Sequence, residues 1–150
     1  VIKGEELEGH ISLTTASAVK ITGRLFGGCL SVLTNLIGTP FFPSSLDNHI
    51  LFFEDIAENP GKMWRNFLQW KQCGHLKGVQ AIVLGECVDA FPSADVLHVF
   101  HHRLSRLAKM PVFFSRDFGH VHSNWPLMIG SQADIDGARL TWSANWRSGG

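Results

Sequence analysis

Two acids and a histidine carry the chemistry this sequence offers. Residues 50–55, Ile-Leu-Phe-Phe-Glu-Asp, run four apolar side chains straight into Glu54 and Asp55. Further on, Gly119-His120 follows a second apolar run at 111–114. A carboxylate beside an imidazole is the orienting half of a nucleophile–His–acid triad. The acid selects the imidazole tautomer and stabilises the imidazolium that forms as a proton moves. The same residues have a plainer reading, in which Glu54 caps the segment near Asn59 or pairs with Arg65 and His120 is a loop residue. A third set, Asp95, His98 and His102, falls at i, i+3 and i+7 on one helical face. It has donors for a divalent ion but also reads as solvated helix surface.

These side chains need elements to place them. Residues 50–53 are short, apolar and rich in β-branched and aromatic types, the pattern of a buried strand. Such a strand delivers its terminal acids to the carboxyl rim of a sheet, where α/β sites form. Residues 78–84 and 111–114 predict two more strands, the first ended by Gly85. Asn59-Pro60 predicts a helix start, with Met63, Phe67 and Trp70 as its apolar stripe and Gly74 at its close. Ser93 predicts another cap, with Val96, Leu97, Phe100, Leu104 and Leu107 on one side. Asp95 then lies in the first turn and Arg103, Arg106 and Lys109 near the end, as the helix dipole favours. A shorter helix is expected from Leu30, Leu33, Leu36 and Ile37, closed by Gly38 and Pro40.

Outside these, residues 3–9 read as a linker and 41–48 as a loop. Residues 11–15, 19–22 and pieces of 129–142 read as short strands, the last interrupted by a turn at 134–137. Residues 146–150 read as loose. Gly23, Gly27 and Gly28 permit positive φ or close backbone approach. Strands alternating with helices make the chain α/β. Its 150 residues suit one domain, and 45% hydrophobic against 17% charged residues supports a real core. Formal net charge is zero, so neither nucleic acid nor a membrane surface is an expected partner. Cys29, Cys73 and Cys87 are odd in number and lack CxxC spacing. They read as reduced thiols of a cytoplasmic protein. Beginning at Val1, the chain reads as part of a longer polypeptide.

One ordered set of segments carries a resemblance. It comprises 23–40 (Gly-Arg-Leu-Phe-Gly-Gly-Cys-Leu and onward), 50–58, Arg65 with Gly74, Ile82-Val83-Leu84-Gly85, and Phe118-Gly119-His120 with Asn124 and Gly130. Together these resemble the LD-carboxypeptidases, serine peptidases that include muramoyl-tetrapeptide carboxypeptidases and microcin C immunity peptidases. The resemblance covers residues 20–140, and only that family's C-terminal domain. It implies a swivelling β/β/α-type domain, a small central sheet flanked by helices, over residues 19–145, after a linker and leading strand at 1–18.

The resemblance also implies that Glu54 is the triad acid and His120 the general base. The serine and the oxyanion donors would belong to an N-terminal domain that is not in this chain, so the chain alone is expected to be inactive. Ser31 falls in a helix that the family does not use for its nucleophile. No cofactor or metal is implied. The implied partners are a peptide or muropeptide substrate, the nucleophile domain, and a second copy in a homodimer. The implied reaction is hydrolysis of the amide before a terminal D-amino acid of murein tetrapeptides, in peptidoglycan recycling. Peptidyl-nucleotide cleavage, or a non-catalytic binding module on the same fold, are the alternatives.

The sequence departs from the family pattern in places. Cys29 replaces an Asn, the usual Tyr and Asp after the second Glu (Glu58) are missing, and Met128 stands where Pro is common. Cys29 reads as a small buried hydrophobe more readily than as a reactive thiol. His122 reads as structural or substrate-side. Trp64 and Trp70, at helical spacing, read as core or interface.

Overall fold

The computed structural model describes residues 5–121 and 124–146. The expectations for His122 and for the last four residues lie outside the described residues. Eight elements follow one another: β1 (Glu5–Cys29), α1 (Leu30–Leu36), β2 (His49–Ile56), α2 (Pro60–Gln72), β3 (Ala81–Val88), α3 (Ala94–Ala108), β4 (Val112–Gly119) and β5 (Gln132–Trp146). They form one five-stranded sheet in the order β4-β3-β2-β1-β5. β1, β2, β3 and β4 pair in parallel, and β5 runs antiparallel to β1. The carboxyl ends of four strands therefore share one rim.

Period-2 alternation assigns each strand's side chains to two cores. Leu51 and Phe53 of β2, with Ile82 and Leu84 of β3, face the helices, packing with Leu30, Met63, Phe67, Trp70, Phe100 and Leu104. Ile50 and Phe52, with Ala81 and Val83, face the other way. There the long β1–β5 ribbon closes over them through Ile11, Leu13, Ile21, Ile135, Leu140 and Trp142. The layers are thus ribbon, parallel sheet and helices, a β/β/α arrangement with the helices on one face.

The helix starts follow their caps. Asn59 accepts a hydrogen bond from the Lys62 amide at 2.9 Å, with Pro60 at the first position of α2. Ser93 accepts from the Val96 amide at 3.3 Å at the start of α3. Trp70 is fully buried, and its indole N–H donates to Thr34 Oγ1 at 2.9 Å, tying α2 to α1.

Several strands exceed their expected lengths. The reading of 3–9 as a linker is corrected from Glu5 onward: residues 5–9 pair in register with 142–146. The two short strands expected at 11–15 and 19–22 are one strand with register breaks around Ser17. The expected turn at 134–137 also lies inside a strand, β5. Asp134 and Ile135 pair with Thr22 and Ile21, while Gly137 keeps the left-handed φ of +58° that a turn would use, at the register break opposite Ser17. β3 starts at Ala81 and passes through Gly85 to Val88, and β4 runs on to Gly119. Gly85 does not end its strand; its missing Cβ leaves the space that the Phe118 ring occupies.

Candidate active site

Glu54 and His120 meet at the carboxyl rim. Glu54 ends the row Ile50, Phe52, Glu54 on the ribbon side of β2. His120 follows the last residue of β4. His120 Nδ1 lies 2.5 Å from Glu54 Oε2. An ionised carboxylate only accepts hydrogen bonds, so this contact selects the tautomer with the proton on Nδ1. Nε2 is left as the ring atom available to a reacting group. The Glu54 side chain is 16% exposed and that of His120 46% exposed. The Glu54 carboxylate is thus largely withdrawn from water while the His120 ring remains reachable. The plainer pairing of Glu54 with Arg65 is not formed. Glu58, not Glu54, serves the start of α2, through Lys62 at 2.8 Å.

The turn that carries His120 is fixed by its neighbours. Gly119 adopts φ +119°, and a Cβ there would sit 2.6 Å from the Glu86 carbonyl oxygen. Only glycine fits both constraints. The Gly119 amide donates to Asn124 Oδ1 at 3.2 Å, and the Trp125 amide donates to the Asp117 carbonyl at 2.8 Å. These bonds tie Asn124 and Trp125 to the end of β4. Beside the pair opens a cavity of about 300 Å³. Gly28, Glu54 and His120 line it on one side, and Phe52, Phe118, Trp125 and Leu127 give it an apolar wall. Trp125 is half exposed and stacks on His10 of the ribbon at 5.8 Å.

Asp55 points elsewhere. Its carboxylate is 2% exposed and accepts from the Ser31 amide at 2.9 Å and the Ser31 hydroxyl at 3.2 Å. It also accepts from Cys29 Sγ at 3.4 Å and from the Ile56 amide at 3.0 Å. Cys29, the N-cap residue of α1, makes no capping bond of its own. Asp55 supplies the missing acceptor from the neighbouring strand. The sequence pattern alone assigns Asp55 no role. The signal was an acid at an alternating position in a strand otherwise buried on both faces, but recognising it required the β1–β2 register.

Chemistry at the other candidates is limited. Ser31 is committed to Asp55, and half-buried Cys29 shares that contact. Burial pushes the Cys87 thiol up to about 12, with the carboxylates of Asp55, Glu54 and Glu86 adding to the rise. Cys87 is therefore neutral and a poor nucleophile near neutral pH. Asp95, His98 and His102 are exposed on α3. Among the described residues no three His, Cys, Asp or Glu side chains converge to hold a metal. Among them also no helix is long and apolar enough to cross a membrane.

Comparison with known proteins gives a consistent result. A sequence profile of the LD-carboxypeptidase C-terminal domain matches residues 22–135. A Synechocystis sp. protein provisionally named a carboxypeptidase is 38% identical over 152 residues, covering 93% of this chain and 50% of that protein. The Escherichia coli Microcin C7 self-immunity protein MccF is 30% identical over 120 residues, covering 78% of this chain and 35% of that protein. The crystal structure of muramoyltetrapeptide carboxypeptidase from Oxalobacter formigenes superposes with a TM-score of 0.78 at 27% identity, covering 94% of this chain and 50% of that one. The chain spans half the length, or less, of the curated relatives it matches.

Proposed function

The chain belongs to the LD-carboxypeptidase family, a family of peptidase hydrolases, by its match to that family's C-terminal domain, and from this premise we propose that it supplies the base and the acid of a serine carboxypeptidase. His120 is the general base and Glu54 the residue that orients it. The serine comes from the part of the enzyme that corresponds to the relatives' unmatched length. His120 Nε2 takes the serine hydroxyl proton as the oxygen attacks the carbonyl carbon of the amide before a terminal D-amino acid. Glu54 holds the Nδ1 proton and stabilises the imidazolium. The tetrahedral intermediate collapses as His120 returns the proton to the leaving amine, giving an acyl-enzyme. Water, activated by the same imidazole, then releases the shortened peptide. No metal or organic cofactor takes part.

The observation that carries this reading is the Glu54–His120 hydrogen bond beside an open cavity at the carboxyl rim. A non-catalytic module has no need of an imidazole so oriented and so exposed. We propose murein tetrapeptide as the substrate, in cytoplasmic peptidoglycan recycling. The test is release of the terminal D-amino acid from that peptide by the parent enzyme, followed by chromatography. Cleavage of a peptidyl-nucleotide amide is the second reading, supported by similarity to the microcin immunity protein. Preferential turnover of the nucleotide conjugate in the same assay would select it. This chain alone is expected to release nothing from either substrate.

A further inference from the structure

Glu54 sits at a register shift between β2 and β3. β2 pairs with β3 residue for residue up to Phe53↔Leu84, then the register shifts before Asp55↔Cys87. On the other side its last paired position is Cys29↔Glu54. Three residues beyond Glu54, Ala57 takes φ +54°, just past the end of β2. At this irregularity Glu54 is paired to Cys29 of β1 but has no partner of its own on β3. The adjacent carboxylate adds a side-chain attachment there. Asp55 binds the Ser31 amide and hydroxyl, the Cys29 thiol and its own Ile56 amide, with its side chain almost wholly buried. Gly28, immediately before Cys29, lines the cavity with Glu54. One carboxylate thus ties the ends of β1 and β2 to the first turn of α1, directly behind the acid that meets His120.

We propose that Asp55 is a positioning residue: by anchoring the end of β2 to α1 it sets the carboxylate of Glu54 at the distance and angle that keep the His120 proton on Nδ1. The proposal rests on the Glu54–His120 reading above, and concerns a residue that touches neither the cavity nor the imidazole. Asp55 does no proton transfer. Its loss lets the Glu54 peptide rotate, and the imidazole divides between tautomers.

The test is nitrogen NMR of the His120 ring in this chain, which reports the tautomer independently of turnover. In Asp55→Ala the Nδ1–H population is expected to fall at least about threefold once its fixed acceptor is lost. In Asp55→Asn, which keeps an oxygen acceptor for the Ser31 amide, it is expected to be largely retained. In the parent enzyme, Asp55→Ala is expected to lower kcat about 10- to 100-fold, with KM within about twofold, the signature of a misplaced catalytic group. The double variant Cys29→Ala/Ser31→Ala removes side-chain donors and leaves Asp55 itself in place. It is expected to shift the tautomer in the same direction by a smaller factor. A wild-type Nδ1–H population in folded Asp55→Ala, or in the double variant should Asp55→Ala not fold, overturns the proposal. Unchanged turnover in His120→Ala would instead refute the functional reading, and the tautomer measurement would still judge Asp55.

Discussion

Glu54 and Asp55 are consecutive, yet their carboxylates serve opposite sides of one sheet. Glu54 reaches His120 at 2.5 Å beside the cavity, and Asp55 binds the Ser31 amide at 2.9 Å on the helix side. The alternation of a strand produces this division without any further device. The acid nearer the rim cavity is available to chemistry, and the next one is committed to structure. Exchanging the two positions would orient neither the imidazole nor the helix.

Gly119→Ala should disturb both fold and site. The substitution forces an L side chain into φ +119° against the Glu86 carbonyl. We expect a loss of about 1–3 kcal/mol in urea unfolding, the usual cost of such backbone strain. The His120 tautomer should be perturbed in the same protein. A variant as stable as wild type would show that the turn has more freedom than its geometry implies.

Cys87 should make the protein sensitive to alkali. Burial raises its thiol from 9.0 to about 12 in the folded chain. Below pH 9 the thiol is protonated in both states and contributes no pH dependence. Between about 9 and 12 the unfolded chain gives up the proton that the folded chain keeps, so stability falls as pH rises. The urea midpoint should therefore drop more steeply over this window in wild type than in Cys87→Ala. Parallel curves would contradict the assignment. At neutral pH a maleimide should modify exposed Cys73 well before Cys87.

Thr34→Val should loosen α1 from α2. Thr34 is buried, accepts from the Trp70 indole at 2.9 Å and donates to the Leu30 carbonyl at 2.7 Å. Valine keeps the shape and leaves the indole N–H unpaired, at a cost of about 1–3 kcal/mol. Thermal unfolding followed by tryptophan fluorescence reads the change. A cost below a few tenths of a kcal/mol would mean that the indole finds another acceptor.

What could be read in advance followed from local chemistry. Asn59-Pro60 and Ser93 mark helix starts because capping involves residues within one turn. The apolar runs at 50–53 and 111–114 mark strands because both their faces are covered, one by helices and one by the ribbon. The ribbon itself was not legible. Residues 5–9 are mostly polar and are a strand because 142–146 lie beside them, and 134–137 carry turn-forming types whose bend, at Gly137, is absorbed as an irregularity within β5. That pairing joins residues more than a hundred positions apart, beyond the reach of any local pattern. The site divided in the same way. Glu54 and His120 stand out as an acid and an imidazole after apolar runs, their roles follow from a motif resemblance, and their contact depends on two strands separated in the sheet by β3. Asp55 depends on which way a single side chain turns at the edge of a register shift, and Trp125 on an amide bond to the Asp117 carbonyl of β4.

The central claim is that Glu54 orients His120 for proton transfer, and turnover of the parent enzyme on murein tetrapeptide tests it most directly. Glu54→Gln keeps the size of the side chain and replaces a pure acceptor with an amide that can present the wrong partner to Nδ1. The expected result is a fall in kcat of about a thousandfold or more with the fold intact, comparable to the loss when the acid of a catalytic triad becomes an amide. Turnover within about threefold of wild type, in a folded Glu54→Gln enzyme, would contradict it.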